Sequence, residues 1–263
     1  MKNLLLLLAP LFLFSKVHYA KVEPFNTVTM KSSVSGLVVN VSVEAEGQML
    51  SGTRIIHIDD TLDIVNLESS KKSAQLLQKM LEINQDIATS LSDSVKRQEG
   101  YYKRINKLST ASKTQKDNAY SSFTTVKTQY LGTQEKIVNF EKQILDMQYK
   151  VAQLEDVITK KSLVLTHKYL YKLMVKEGDF VAPGSALAQV MDASSAKLVL
   201  FLEADELEEL DQKIVYLDTK KTEYKVDKVW RVTDEKFISS YRAEIYIDAP
   251  QGPFSKLIKV EIK

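Results

Sequence analysis

Two stretches of β-type alternation, separated by a long proline-free interval of seven-residue apolar repeats and followed by a further β-rich segment, predict an α+β chain. The expected order is β, long helix, long helix, β, and then a second β unit. In the first β segment, 27–60, Val38, Val41 and Val43 and then Ile55, Ile56 and Ile58 alternate between turn signals at Gly36, Gly47 and Gly52. Residues 61–160 contain no Pro and only Gly100 and Gly132, which suits uninterrupted helix. Strand punctuation returns at Gly178, Pro183 and Gly184 within 161–192. A last segment, 193–263, has β-type stretches at 197–202, 225–232, 242–247 and 257–262, with an acidic helical turn near 204–210.

Ahead of these elements, Lys2 precedes an apolar run from Leu4 to Phe14. That run is too short for the ~20 residues of a membrane-spanning helix, so 1–20 reads as a secretory signal with Ala20 as a cleavage residue. An uncleaved N-terminal anchor is the alternative. The 263 residues hold no Cys and 3 His, one of them, His18, in the leader. Disulfides, thiol nucleophiles and thiolate metal sites are excluded, and metal-centred or His-based catalysis is disfavoured. With 36 basic and 34 acidic residues, the charge of +2 calls for no nucleic-acid partner.

The helical segment carries the clearest pattern. One seam of the first helix is Leu67, Ala74, Leu81, Ala88, Val95 and Tyr102, and its companion is Ser70, Leu77, Asn84, Leu91, Gln98 and Ile105. The second helix has Phe123, Tyr130, Ile137, Ile144, Val151 and Ile158, with Ala119, Val126, Thr133, Phe140, Met147 and Leu154. Such a repeat argues for a left-handed coiled coil. Folding the chain between Thr110 and Ala111 makes partner numbers sum to 221 and sets Leu81 against Phe140 and Tyr102 against Ala119. The result is an antiparallel hairpin with arms of ~46 residues, ~70 Å long at ~1.5 Å per residue. Ser112-Lys-Thr-Gln115 reads as a capping box that restarts the helix after a tip at 108–112.

The β segments flanking the hairpin carry matching turn motifs: Gly47-Gln48-Met49-Leu50-Ser51-Gly52 in the first, and Gly178-Asp179-Phe180-Val181-Ala182-Pro183-Gly184 in the second. The second fits a G-D-x-V-x-x-G-x-x-L pattern in full; the first is one residue short between its glycines. His167–Lys172 also stands where a Gly-containing strand start is usual. On these residues 27–263 resembles the HlyD-like periplasmic adaptors, or membrane fusion proteins. The resemblance implies an elongated molecule: a split lipoyl-like β sandwich interrupted by the hairpin, then a β-barrel domain. The membrane-proximal domain common in such adaptors is expected to be absent.

The resemblance also implies a noncatalytic subunit of the periplasm, without cofactor or metal. It would link an inner-membrane transporter of ABC or RND type to a TolC-like outer-membrane channel, as a homo-oligomer, by resemblance a hexamer. Inner-membrane association would come through the transporter or an uncleaved leader. Adaptors that dock onto such channels carry Arg, Leu and Ser at the hairpin tip, and Arg104, Leu108 and Ser112 match these positions. The Leu-to-Ser interval is three residues shorter than the common form. Lys103, Arg104, Lys107, Lys113 and Lys116 fall within 100–116, where no acidic residue occurs, so the tip suits a carbonyl-rich or acidic rim. A solvated helix end is the plainer reading of that charge.

Two other classes remain in view. A structural coiled-coil spacer of the cell envelope would carry the same heptads. A lipoyl or biotinyl carrier shares the β fold, but the hairpin occupies the turn where its modified lysine would sit. Glu203, Asp205, Glu206, Glu208, Glu209 and Asp211 read as a solvated face rather than a cation site, for they lack EF-hand spacing. His57 is expected on a strand facing solvent, His167 has no ligand partner, and Trp230 belongs to the core or rim of the last β unit.

Overall fold

The computed structural model describes residues 16–234, 237–250 and 254–263. The chain forms two compact units, a β unit of Met1–His57 with Leu163–Lys263 and a helical unit of Ile58–Ser162. The strands are β1 (Val17–Lys31), β2 (Gly36–Val41), β3 (Met49–Ile58), β4 (Ser162–Leu173), β5 (Phe180–Val181), β6 (Ala186–Leu202), β7 (Val215–Leu217), β8 (Lys220–Lys221), β9 (Lys228–Thr233), β10 (Tyr241–Asp248) and β11 (Leu257–Ile262). Hydrogen-bonded neighbours run β5-β2-β3-β4-β6-β1-β11-β7-β8, and β10 pairs with β6 and β9.

The two longest strands, β1 and β6, form an antiparallel ribbon through the whole β unit. Lys21 to Pro24 pair with Val199 to Ala196, and Asn26 to Lys31 pair with Asp192 to Ala186, with a register slip between Pro24 and Asn26 and a second between Met30 and Lys31. On one side of the slip the ribbon joins β7, β9, β10 and β11. Alternate residues there turn inward, as the two-residue period of a strand requires. Ala20, Val22, Ala196, Leu198, Leu200, Leu202, Val215, Ala243, Ile245 and Val260 form that core.

This barrel differs from the sequence reading at its origin. Residues 1–15 lie outside the described residues, but Val17–Ala20, assigned to the leader, are the first residues of β1. They pair with Glu261 to Ile258 of β11, and Ala20 is fully buried. Alternating Val17, Tyr19 and His18, Ala20 simply continue the strand period, a requirement that a leader's end does not carry. The barrel therefore draws on 17–24 as well as on 193–263. The acidic stretch forms two 3-10 turns, Ala204–Leu207 and Leu210–Gln212, rather than one helical turn.

On the other side of the slip, the ribbon and β2–β5 form a two-halved module. Val38, Ile55 and Val181 and then Leu165, Leu170 and Val190 supply its buried side chains. The glycine turns join the halves. Gly178 N–H donates to Val38 O at 2.9 Å and Val38 N–H donates to Asp179 O at 2.8 Å. Gly178 has φ 91°, a left-handed conformation that costs a residue with a Cβ about 1–2 kcal/mol. His167 carries φ 53° within β4, a left-handed backbone at a residue with a Cβ. His57 is half-buried on β3 rather than turned to solvent.

In the helical unit, α1 (Thr61–Lys107) and α2 (Lys113–Lys160) pair as the heptads predict. Every seam residue named above is buried or half-buried, and Ser70, Leu81, Ala88, Ala119, Thr133 and Ile137 are the buried ones. Leu81, Ala88 and Ile137 form a core against which Tyr130, Phe140 and Ile144 pack, as the register summing to 221 requires. Near the other end, Lys161 Nζ donates to Asp63 of α1 and to the carbonyl of Asp59, closing the two arms together.

Candidate functional site

The tip is built from the capping requirements of two helix ends. Helix α1 stops at Lys107; Leu108 has extended backbone (φ −78°, ψ 121°) and its N–H donates to Ile105 O. The chain restarts at Ser112, whose Oγ accepts from Gln115 N–H at 3.2 Å while Gln115 Oε1 accepts from Ser112 N–H at 2.9 Å. This is the capping box read from the sequence. It satisfies two donors that a helix start otherwise leaves unpaired.

Below the tip the arms are locked by aromatic packing. The Tyr102 ring stacks on Phe123 at 6.2 Å and meets Tyr120 at 5.3 Å. Ala119, directly across the seam, is 2% exposed and leaves room for that ring. The turn thus projects from a rigid base.

Charge at the tip follows no stabilising logic on α2. Arg104 and Lys107 in the last turn of α1 complement the negative end of that helix dipole. The first turn of α2 has no acidic residue and carries Lys113 and Lys116, cations at the positive end of its dipole. Lys103 is engaged by Glu99 at 2.6 Å. That hydrogen bond, first, and the charges of Lys103 and Lys127 hold the Glu99 carboxyl below its ordinary range. Among the described residues no ion pair engages Arg104, Lys107, Lys113 or Lys116. Arg104 and Ser112 are exposed, and Leu108 is 49% exposed. The three residues therefore stand on one short segment, with Leu108 just past the helix end rather than on a continuous helical face with Arg104. Its half-exposed apolar side chain follows Lys107 directly in the chain.

The acidic stretch has a structural occupation that its sequence did not reveal. Lys16 Nζ donates to Glu203 at 2.7 Å and pairs with Asp205 at 3.0 Å, and these hydrogen bonds push the Lys16 ammonium pKa up. His18 meets Glu206 at 2.7 Å. Both Lys16 and His18 belong to the segment read as leader, so no sequence signal linked them to the acids. Among the described residues no set of three or more His, Asp or Glu is placed to hold a metal ion. Trp230 is half-buried between Lys228 and Arg242, 4.3 Å and 5.0 Å from its ring.

No protein-family model and no curated protein matches the sequence. Solved structures do match the fold. MacA from Actinobacillus actinomycetemcomitans superposes with a TM-score of 0.72 at 17% identity, over 95% of this chain and 78% of that one. The membrane fusion protein Spr0693 from Streptococcus pneumoniae R6 matches with a TM-score of 0.60 at 10% identity, over 95% and 98%. A MacA–MexA chimera bearing the Pseudomonas aeruginosa MexA α-hairpin matches at 0.54 and 18%, over 95% and 80%. The chain therefore has the membrane fusion protein fold: a long helical hairpin set between β strands of lipoyl-like and barrel modules. Among the described residues no helix is long and apolar enough to cross a membrane.

Proposed function

We propose that this chain, having that fold, is a noncatalytic periplasmic adaptor that couples an inner-membrane transporter to an outer-membrane channel. The observation that carries the reading is the tip: a capped turn on a rigid hairpin, presenting Arg104, Leu108 and unpaired lysines with no acid in the first turn of α2. Cations at the positive end of a helix dipole destabilise the helix, so their presence supports an external anionic or carbonyl-rich partner. In this reading Arg104 supplies a fork of donors and Leu108 an apolar anchor. Ser112 shapes the turn that presents them. The partners would be an ABC or RND transporter and a TolC-like duct, and the subunits would act as a ring.

The test compares three variants at matched expression. Arg104→Ala removes a charge-assisted contact of about 1.5–3 kcal/mol per subunit, multiplied around a ring. Leu108→Asp places a charge where the duct must desolvate it. Both should abolish export while thermal unfolding of the purified chain stays unchanged. Ser112→Ala should cost about 1 kcal/mol of helix stability with a milder export defect. Crosslinking from the tip in cells should recover an outer-membrane channel. Normal export by both Arg104→Ala and Leu108→Asp, or no channel recovered, would leave a structural spacer as the better reading.

A further inference from the structure

A groove of about 930 Å³ lies over the ribbon of β1 and β6 in the β unit. The two-residue strand period shows which face it occupies. Its lining residues Lys21 and Glu23 alternate with buried Ala20 and Val22, and Gln189 and Met191 alternate with buried Ala188 and Val190. The groove is therefore on the face turned away from both cores. Its volume falls in the range of ~300–1,000 Å³ usual for small-molecule sites.

Strand register orders the lining. At one end Glu23 pairs with Lys197, and Lys21 is one diagonal step away, opposite Val199. Further along, Thr27 pairs with Met191, which Tyr169 flanks from β4. From Lys197 to Gln189 the groove follows eight residues of β6, up to roughly 26 Å at ~3.3 Å per residue. It is long rather than round. It also crosses the slip beside Phe25, with the barrel strands at one end and the split module at the other.

The two ends differ in chemistry. Lys21, Glu23 and Lys197 are the charged residues of the lining, and all three belong to the barrel end. Lys21 Nζ is 3.9 Å from Glu23, and Lys197 Nζ is 3.3 Å from Glu244 Oε1, which already accepts from Arg242 at 2.8 Å. Both lysine contacts are longer than the ~2.7–2.9 Å of a charge-assisted hydrogen bond. Three cations thus share two carboxylates, and the lining itself holds two lysines for one acid. A cationic head group would be repelled there and an anionic one attracted. Toward the other end Met49, Met191, Tyr169 and Tyr171 supply thioether and ring surface, which adapts to a flexible apolar chain.

We propose that this groove binds a single-chain amphiphile with an anionic head group. The head sits at Lys21 and Lys197, and the chain lies along Met191, Tyr169 and Tyr171, across the slip in the ribbon. The site goes beyond the adaptor reading, since binding needs neither transporter nor channel.

The test titrates the full-length chain by calorimetry with decanoate, decanol and decyltrimethylammonium, each below its micelle concentration. Decanoate should bind saturably, decanol more weakly, and decyltrimethylammonium weakest. Lys21→Gln should weaken decanoate about ten-fold, the loss of one charge-assisted contact, and leave decanol unchanged. Thr27→Trp fills the groove and should remove binding of both. Lys21 and Thr27 are exposed, so thermal unfolding of the ligand-free variants should match that of the parent. Decyltrimethylammonium binding as tightly as decanoate would overturn the anionic class. Decanoate binding that neither variant changes would lie elsewhere on the chain and overturn the site, as would no saturable binding. A chain that binds decanoate as expected yet exports nothing would count against the adaptor reading and leave this site standing.

Discussion

Val38 in the first half of the split β module and Leu170 in the second stand at the same place in a repeated pattern. Val38 accepts from Gly178 N–H and donates to Asp179 O; Leu170 accepts from Gly47 N–H at 2.8 Å and donates to Gln48 O at 3.0 Å. Both side chains are fully buried. Four residues on, Ser42 N–H donates to Ile55 O and Met174 N–H to Leu187 O. The halves are thus copies at the level of hydrogen bonds, although few residues are shared between them. The first half has one residue fewer between its glycines, and the loss falls after Leu50 and Val181, which are both buried. In the second half, Ala182-Pro183-Gly184-Ser185 makes a hydrogen-bonded turn, Ser185 N–H donating to Ala182 O at 2.9 Å. The first half passes the same point through Ser51-Gly52 alone. A deletion in such a repeat is tolerated at the turn and nowhere along the bonded positions.

The comparison is broken most severely at its centre. Val38→Asp and Leu170→Asp each bury a charge without a partner and should each cost more than about 4 kcal/mol, enough to lose the β unit. Loss of near-ultraviolet dichroism in only one of them would show that the halves are not equivalent. Next, Gly47→Ala and Gly178→Ala should each cost about 1–2 kcal/mol in urea unfolding, because both glycines have positive φ and a Cβ meets nothing closer than 3.8 Å. Unequal values would mean that packing, not backbone strain, decides one of them.

A smaller effect belongs to the second half alone. Lys168 stands where the first half has Gly36, and it donates to Asp192 at 2.6 Å. That bond, with two from Ser194, holds the Asp192 carboxyl at about 2. A carboxylate depressed on folding adds stability above its unfolded value near 4 and loses it as pH falls toward 2. After allowance for solvent, Asp192→Asn should cost about 1 kcal/mol at pH 7 and nothing near pH 2. An equal loss at both pH values would assign the effect to packing. Least of all, one residue inserted between Ser51 and Gly52 should change stability by less than about 0.5 kcal/mol. A large loss would show that the short turn is a fitted feature rather than a tolerated one.

The hairpin was legible because its information is local and redundant: two seams repeat over each arm, and the capping box needs only Ser112 and Gln115. The second β half was legible for the same reason, its turn being spelled in full from Gly178 to Gly184. The barrel was less so. Beside four side chains from β6, its core takes only one or two from each of β1, β7, β10 and β11, and strand pairing between Ala20 and Ile258 leaves no trace in either segment's sequence. Lys16 and His18 were hidden by the apolar run before them, which drew the leader's end past them to Ala20. At the tip, composition named the cations, but only the backbone at Leu108 showed that the anchor sits off the helix.

The ribbon of β1 and β6 has a mechanical consequence. Because both strands pass from the split module into the barrel, the two modules share covalent backbone and a continuous ladder rather than a linker. Neither can swivel freely while the ladder holds, and a turning force on one is carried into the other along two strands at once. The ladder breaks between the modules at Phe25, where Pro24 pairs with Ala196 and Asn26 with Asp192, and the Phe25 ring leans edge-on against Tyr246 at 5.1 Å. Torsion between the modules therefore falls first on this break, beside one aromatic contact.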